Sequence, residues 1–465
     1  MKAWIIALSV VLCVLSPASM AASGRPNILL ITADDLGNQL SCYGEKRIRT
    51  PNLDGLASEG VRFANAYVAQ SSCSSSRSAL LTGRWPHQNG QYGLAHLGFH
   101  MHPGQENLPS LLKKAGYRTG IIGKLHVEPA GEFPFDWMPA KERVAAGPTR
   151  KVRWVAAQSR QFFAEARKSG QPFFYYVNYF DPHGPYTPDV SQADGLPKKP
   201  LQPEDIQQPL SLGAKTPEAA KRLTAIFCNM VLRMDTGIGL LLDELKAAGL
   251  ADNTVVIFLG DNGAPVRHGK TTSYEPGVRV PLIIRWPSAA KAGQVRSELV
   301  STIDILPTVL AAAGLSVPPE MEGRSLTLLL RADSLQWREF LFTEMNFHQA
   351  NQFSPQRTVR DDRHKLLLNL SPQASQAPVE LFDLQADPEE TRNLADDPGL
   401  ASTRRRLEKA LQQWRQQTDD PLLDPQRLER WKKAAEEWKI SAPRLEGGPY
   451  PDVARVPPGG LELLK

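Results

Sequence analysis

Cys73 opens a run of small polar residues, Cys73-Ser74-Ser75-Ser76, with Arg77 one helical turn further on, and the short helical segment carrying them stops at Gly83. A thiol at a helix start lies beside unpaired backbone N–H groups and the positive end of the helix dipole, which favour an anion there. Arg77 would project onto the same face and add a fixed positive charge. The arrangement suits a reactive sulfur, or a group made from it, beside an anionic substrate. The alternative is a buried structural cysteine ahead of an ordinary helix.

Four further clusters share one placement. Asp34-Asp35, Lys124 with His126, Asp181 with His183, and Asp261-Asn262 each follow an apolar run of strand length, at 27–32, 117–122, 172–179 and 253–259. Adjacent carboxylates beyond a core strand are costly to desolvate unless positive charge meets them. A metal ion is one answer and an exposed capping turn is the other. Asp34, Asp35, Asp261 and the amide oxygen of Asn262 make an all-oxygen set of the kind that calcium or magnesium prefers. Beside it would stand Arg77, Lys124, Lys270, His126 and His183, which repel one another unless a multiply charged anion arrives among them. A tetrahedral oxyanion, sulfate or phosphate, meets that requirement, with Cys73 where a nucleophile is needed.

The elements that must position these residues follow from the same runs. Strands alternating with helices predict an α/β fold, a large mostly parallel sheet sandwiched by helices. Ligands in such sheets bind beyond the carboxyl ends of the strands, so all four clusters are expected to rim one crevice. Helices are expected at 50–60, opened by Thr50-Pro51 and closed by Gly60, at 108–116, and over 219–248. From about Phe340 the runs shorten. Segments 357–360, 365–368 and 380–384 read as a small antiparallel sheet and 401–416 as a charged amphipathic helix. Pro443, Pro449, Pro451, Pro457 and Pro458 mark a Pro/Gly-rich extension over the surface. The expected organisation is a leader over 1–22, a catalytic region over 23–340 and a smaller α+β region over 341–465.

A length of 465 residues exceeds the usual single core, and 42% hydrophobic with 22% charged residues describes a soluble globular protein. The net charge of +5 is compatible with acidic substrates, and the lack of a dense Lys/Arg run speaks against nucleic acid. Met1-Lys2, an apolar run over 3–15 and small residues to Ser23 form a secretory leader, too short to make a stable membrane span. The chain is therefore expected to be exported, periplasmic or secreted. With Cys13 inside that leader, Cys42, Cys73 and Cys228 remain, an odd number. Cys73 is the natural odd one out, and Cys42 and Cys228 pair or stay free. His87, in the glycine-punctuated loop 85–93, either lines a pocket or is simply solvated.

Taken together, these stretches resemble the sulfatase family, within the alkaline-phosphatase-like superfamily. The likeness runs through Asp34-Asp35, Cys73 to Arg84, Gly123-Lys124-Leu125-His126, Asp181-Pro182-His183 and Gly260-Asp261-Asn262-Gly263. It also takes in Glu380-Leu381-Phe382-Asp383-Leu384 and Asp387 to Leu394, and so covers most of the mature chain. Pro86 to Leu94, Thr119 to Val127 and Arg233-Met234-Asp235-Thr236-Gly237 bring it nearest to the heparan N-sulfatases. One departure stands out: Ser75 occupies the position where the family signature carries proline.

The resemblance implies that a maturation enzyme oxidises Cys73 to formylglycine, and that the modified residue completes the metal's ligands with Asp34, Asp35, Asp261 and Asn262. A hydroxyl of the hydrated aldehyde would attack sulfur, His183 would protonate the leaving oxygen or nitrogen, and His126 would assist release of sulfate. Arg77 and Lys124 would hold residue 73, Lys270 would bind sulfate oxygens, and Asp181 and His348 are candidates for gripping sugar hydroxyls. The expected substrate is a sulfated saccharide, the N-sulfoglucosamine of heparan- or heparin-type glycans first. Two alternatives stay open: a phosphatase or phosphonate monoester hydrolase of the same superfamily, and a non-catalytic sulfated-glycan-binding protein in which Cys73 remains a thiol.

Overall fold

The computed structural model describes residues 24–139, 148–186, 194–331, 336–374, 376–441 and 453–464; the expected leader and prolines 443, 449 and 451 lie outside them. The apolar runs become the central strands β1 (Asn27–Asp34), β3 (Arg118–Ile122), β4 (Phe173–Pro182) and β5 (Thr254–Gly260), after β2 (Val61–Tyr67) in its place in the chain. With β6 (Arg279–Arg285), β7 (Gln294–Arg296) and β8 (Val300–Ser301) they form an eight-stranded sheet of order β3-β4-β1-β5-β6-β2-β7, β8 pairing with β2. Neighbours from β3 to β5 are parallel. β6 runs antiparallel to both β5 and β2, so the sheet is mixed but mostly parallel.

The runs are continuous because both faces of the sheet are covered. Along β1, Ile28 and Leu30 enter one core with Leu80, Leu112 and Leu306, while Leu29 and Ile31 enter the other with Leu53, Phe162 and Leu241. The two-residue period of a strand thus feeds two hydrophobic layers. Helices Leu108–Lys114 and Ile305–Ala312 serve the first layer. Helices Pro51–Glu59, Val152–Ser169 and Pro217–Ala247 serve the second. The last is long and apolar enough to cross a bilayer, but 72% of its most apolar window is buried inside the fold, which identifies a core helix.

The later chain builds a four-stranded antiparallel sheet from β9 (Leu341–Phe347), β10 (Phe353–Arg360), β11 (His364–Asn369) and β12 (Val379–Asp383), in the order β12-β11-β10-β9. β9 adds a strand to the three expected, and a second helix, Pro425–Ser441, follows the anticipated Ala401–Gln417. Glu344 N donates to Ala69 O (2.8 Å), joining the small sheet to the segment that leads into Cys73. Cys42, Cys73 and Cys228 are all unpaired, which settles the disulfide question for the described residues.

Candidate active site

Because β3, β4, β1 and β5 are adjacent and parallel, their carboxyl ends emerge side by side, and the four clusters meet. The register of β1 shifts between Ala33 and Asp34, and Asp35 takes a left-handed φ of 63°, so the two carboxylates leave the sheet together. The backbones pack closely here. A Cβ on Gly260 would stand 2.0 Å from Leu36 O, and one on Gly123, whose φ is 87°, 2.3 Å from Asn178 O. Only glycine fits either turn.

Cys73 begins the helix Cys73–Thr82, every residue of which is buried. Its Sγ donates toward Asp34 Oδ1 (3.3 Å) and accepts from Lys270 Nζ (3.1 Å). The dipole argument misjudged this sulfur. Burial, then the charge of Asp34, push the thiol well above its ordinary range, and Lys124 and Lys270 do not offset them. As a plain thiol, residue 73 is held neutral. Arg77 projects from the next turn, as expected, with Nε on Asp261 Oδ2 (2.8 Å) and Nη1 on Asn178 Oδ1 (2.6 Å) and Lys124 O (2.8 Å).

Each carboxylate meets a cation. Lys124 Nζ donates to Asp34 Oδ2 (2.6 Å) and Lys270 Nζ to Asp35 Oδ1 (2.6 Å). Burial alone would raise Asp34, but Lys124, His183, Arg77 and Lys270 hold it well below the usual carboxylate range. Asp261 goes the other way: burial and the neighbouring Asp34 push it up to about 7. Asp261 Oδ1 accepts from Asp35 N (3.0 Å), and Asn262 Nδ2 donates to Asp35 Oδ1 (2.9 Å). The amide's other end, Asn262 Oδ1, is buried with no partner. An orphaned buried acceptor beside three crowded carboxylates is the donor set of a hard divalent cation. Ligand atoms of Asp34, Asp35, Cys73 and His183 also lie within 4.8 Å of one another. Asp261 stands outside that tight group, its two oxygens turned to Asp35 N and Arg77, and His183 takes a place in it that the sequence did not suggest.

Asp35, Cys73, Lys124, His183 and Lys270 line a cavity of about 640 Å³, and Asp34, Arg77, Asp261 and Asn262 stand behind its wall. His183 Nδ1 donates to Gly184 O (2.6 Å), which leaves Nε2 facing the cavity, 3.8 Å from Asp35 Oδ2. His126 Nε2 meets His96 Nδ1 (2.6 Å), and His126 Nδ1 is buried without a partner. Burial first and Lys124 second lower both rings, His96 to about 4. His348 also lines the cavity, its Nδ1 on Ser72 Oγ (2.9 Å).

Asp181 does not line it. Arg233 holds both carboxylate oxygens, Nε to Oδ2 (2.7 Å) and Nη2 to Oδ1 (2.9 Å), so the expectation that Asp181 grips a sugar is corrected to a buried ion pair behind the wall. His87 likewise is buried, between Glu344 and Thr418 O, rather than solvated or in the cavity. Three contributors escaped the sequence reading. His96 stacks on His126 (4.8 Å between centroids), Arg150 lies over Phe180 and donates to His183 O, and Val453 of the C-terminal extension closes one side. His96 comes two residues after a recognised loop, but only folding brings it to His126.

Comparison with known proteins accords with this geometry. The family model described as Sulfatase matches residues 26–315, and one described as N-sulphoglucosamine sulphohydrolase, C-terminal, matches residues 267–417. The chain is 34% identical over 464 residues to N-sulphoglucosamine sulphohydrolase of Homo sapiens, across 85% of this chain and 91% of that protein. It is 30% identical over 437 residues to an ulvan-active sulfatase of Formosa agariphila, across 87% and 83%. A protein solved in complex with its substrate D-glucosamine-2-N,6-O-disulfate superposes with a TM-score of 0.71 at 24% identity, over 85% of this chain and 98% of that one. A phosphonate monoester hydrolase of Agrobacterium radiobacter does so with a TM-score of 0.68 at 22% identity, over 85% and 96%. The two structural likenesses speak for the fold alone.

Proposed function

The chain belongs to the sulfatase family of sulfuric ester hydrolases, and on that premise we propose that it removes a sulfo group from a saccharide, the N-sulfo group of glucosamine in heparan- or heparin-type glycans first among candidates. The observation that carries this reading is Lys270 Nζ held between Asp35 Oδ1 (2.6 Å) and Cys73 Sγ (3.1 Å) at the cavity wall, a cation touching the reacting residue itself. The N-sulphoglucosamine match over 267–417 supports the choice of sugar.

In this proposal the side chains divide the work. Oxidised to formylglycine by a maturation enzyme, residue 73 supplies a hydrated aldehyde with one hydroxyl to attack sulfur and a second that lets the sulfate leave. Asp34, Asp35, Asn262 Oδ1 and residue 73, joined by Asp261 beside them, would hold a calcium or magnesium ion, which would supply Lewis acidity toward the sulfo oxygens. Lys270 and Lys124 bring fixed positive charge to a largely buried wall of the cavity, where it counts for more than in water. Arg77, anchored by Asp261 and Asn178, fixes the start of the helix and so the direction of residue 73. His183 presents Nε2 toward the leaving group and, once protonated, donates there. His126, whose Nδ1 is left unpartnered, would take up the proton released as sulfate departs. His348 is left to contact the sugar. The leader-like stretch 1–22 supports export to the periplasm or beyond.

Two measurements test the reading. Mass spectrometry of the peptide bearing residue 73, after expression with a maturation enzyme, is expected to show a loss of about 18 Da, thiol to aldehyde. Sulfate release from N-sulfoglucosamine and from a 6-O-sulfated glucosamine is then compared with phosphate release from an aryl phosphate. Faster turnover of the phosphate by unmodified protein would assign the chain to the phosphatase alternative, and no turnover of any of the three to the glycan-binding one.

A further inference from the structure

The cavity does not end at the sulfo-binding groups. Thr271, His348 and Gln352 line both that chamber and a second one of about 820 Å³, so they form a shared threshold. The turn carrying two of them is tight: Gln352 N donates to Gln349 O (3.0 Å) and His348 N to Gln352 O (3.3 Å). One end of this turn thus reaches Ser72, next to Cys73, and its other end opens on the second chamber. The far wall is the helix Pro425–Ser441, which lies beyond both family matches.

The lining has the chemistry of a sugar site. Asn351, Ser371 and Gln373 offer amide and hydroxyl groups above an apolar floor that includes Phe353 and Leu428. Pyranose rings present hydroxyls at the edge and C–H groups on the faces, and a pocket of about 300–1,000 Å³ combining polar and apolar lining is the usual size of a small-ligand site. Asn351 Oδ1 is buried with no partner, so this amide gains a hydrogen bond by turning to a hydroxyl presented from the chamber. The charges cancel in pairs, Lys432 with Glu429 (3.9 Å) and Lys439 with Glu436 (2.6 Å). A subsite for densely sulfated units would need an excess of cations, which this wall lacks.

We infer that the second chamber is a saccharide subsite that holds the sugar units following the desulfated one and favours sparsely sulfated units. This rests on the saccharide reading of the first chamber and extends it from a single residue to a chain.

The test separates binding from turnover. In Cys73→Ala protein, calorimetry compares N-sulfoglucosamine with a heparan-type tetrasaccharide whose only sulfo group is on the non-reducing-end glucosamine. The tetrasaccharide is expected to bind about tenfold more tightly or better. Asn351→Ala removes the amide, and Ala374→Trp, on an exposed loop of the same wall, narrows the chamber; each is expected to bring the two affinities toward equality. Equal affinities before either change, or a gain that survives Ala374→Trp in folded protein, overturns the inference. Should matured wild-type enzyme release no sulfate from either saccharide while the tetrasaccharide gain persists and falls in both variants, the reaction reading fails and the subsite stands.

Discussion

The cluster of His87, Glu344, Arg357, Arg415 and Asp420 and the cluster around Cys73 are both buried and both charged, yet only the first is complete in itself. Arg357 donates Nε and Nη2 to Asp420 (2.9 and 2.8 Å) and Nη1 to Met345 O and Gln356 O. Arg415 adds Nε to Asp420 (2.6 Å), and His87 bonds Glu344 through both its backbone N and its ring. None of these five residues has an unpaired buried side-chain atom. Around Cys73, by contrast, Asn262 Oδ1, His126 Nδ1 and Arg77 Nη2 are buried without hydrogen-bond partners. The acids differ in step. Burial alone would raise Asp420, but Arg357 foremost holds it far below the ordinary range, whereas burial and Asp34 lift Asp261 to about 7. A buried polar network that satisfies itself ties elements together; one that leaves atoms over is shaped for something that arrives.

The sharpest test of that contrast is Cys73→Ala. Sulfate release is expected to fall by at least about 10³-fold, while stability changes by no more than about 1 kcal/mol in a denaturant titration. Its opposite is Arg357→Met, which leaves Asp420 short of its main partner. Stability is expected to drop by about 3–5 kcal/mol, with turnover per folded molecule unchanged within about twofold. A variant as stable as wild type would remove the structural half of the comparison.

A smaller effect concerns the unfilled atoms. A divalent ion at about 100 times its Kd is expected to stabilise the wild type by about 2.7 kcal/mol, read as a higher melting temperature that a chelator reverses. Asn262→Ala should lose most of that shift and Arg357→Met should keep it. An equal shift in Asn262→Ala would show that the ion binds elsewhere. The smallest effect is in acid. Because Asp420 has a folded pKa below its unfolded value of about 3.9, its contribution is fully present above that pH and is lost as pH falls below it. Asp420→Asn should therefore flatten the acid side of the stability profile, and an unchanged slope would show that other carboxylates carry it.

Much of the site was legible because its residues sit directly after strands. A continuous apolar run announces a strand buried on both faces, and Asp34, Lys124, His183 and Asp261 each follow one within a few positions. Less legible was what each side chain faces. Asp181 stands in the same kind of position, yet Arg233, 52 residues on in the helix Pro217–Ala247, takes both its oxygens. Cys73 begins a helix as expected, but the depth of its burial outweighs the cations beside it. His96 and Val453 at the cavity, and Arg150 against Phe180 and His183, carry no motif, and their places depend on segments that pack from far along the chain.

The sequence by itself determined the α/β class, the helix-start cysteine, the set of titratable groups and the end of the sheet at which they gather. These depend on residue type, period and short-range spacing, which are properties of neighbouring residues. The tertiary structure alone decided the strand order that sets β1 between β4 and β5, which acids are spent in ion pairs, which buried atoms are left over, and that a second chamber opens behind His348. Those outcomes depend on contacts between residues tens to hundreds of positions apart, and such distances exist only once both cores have closed.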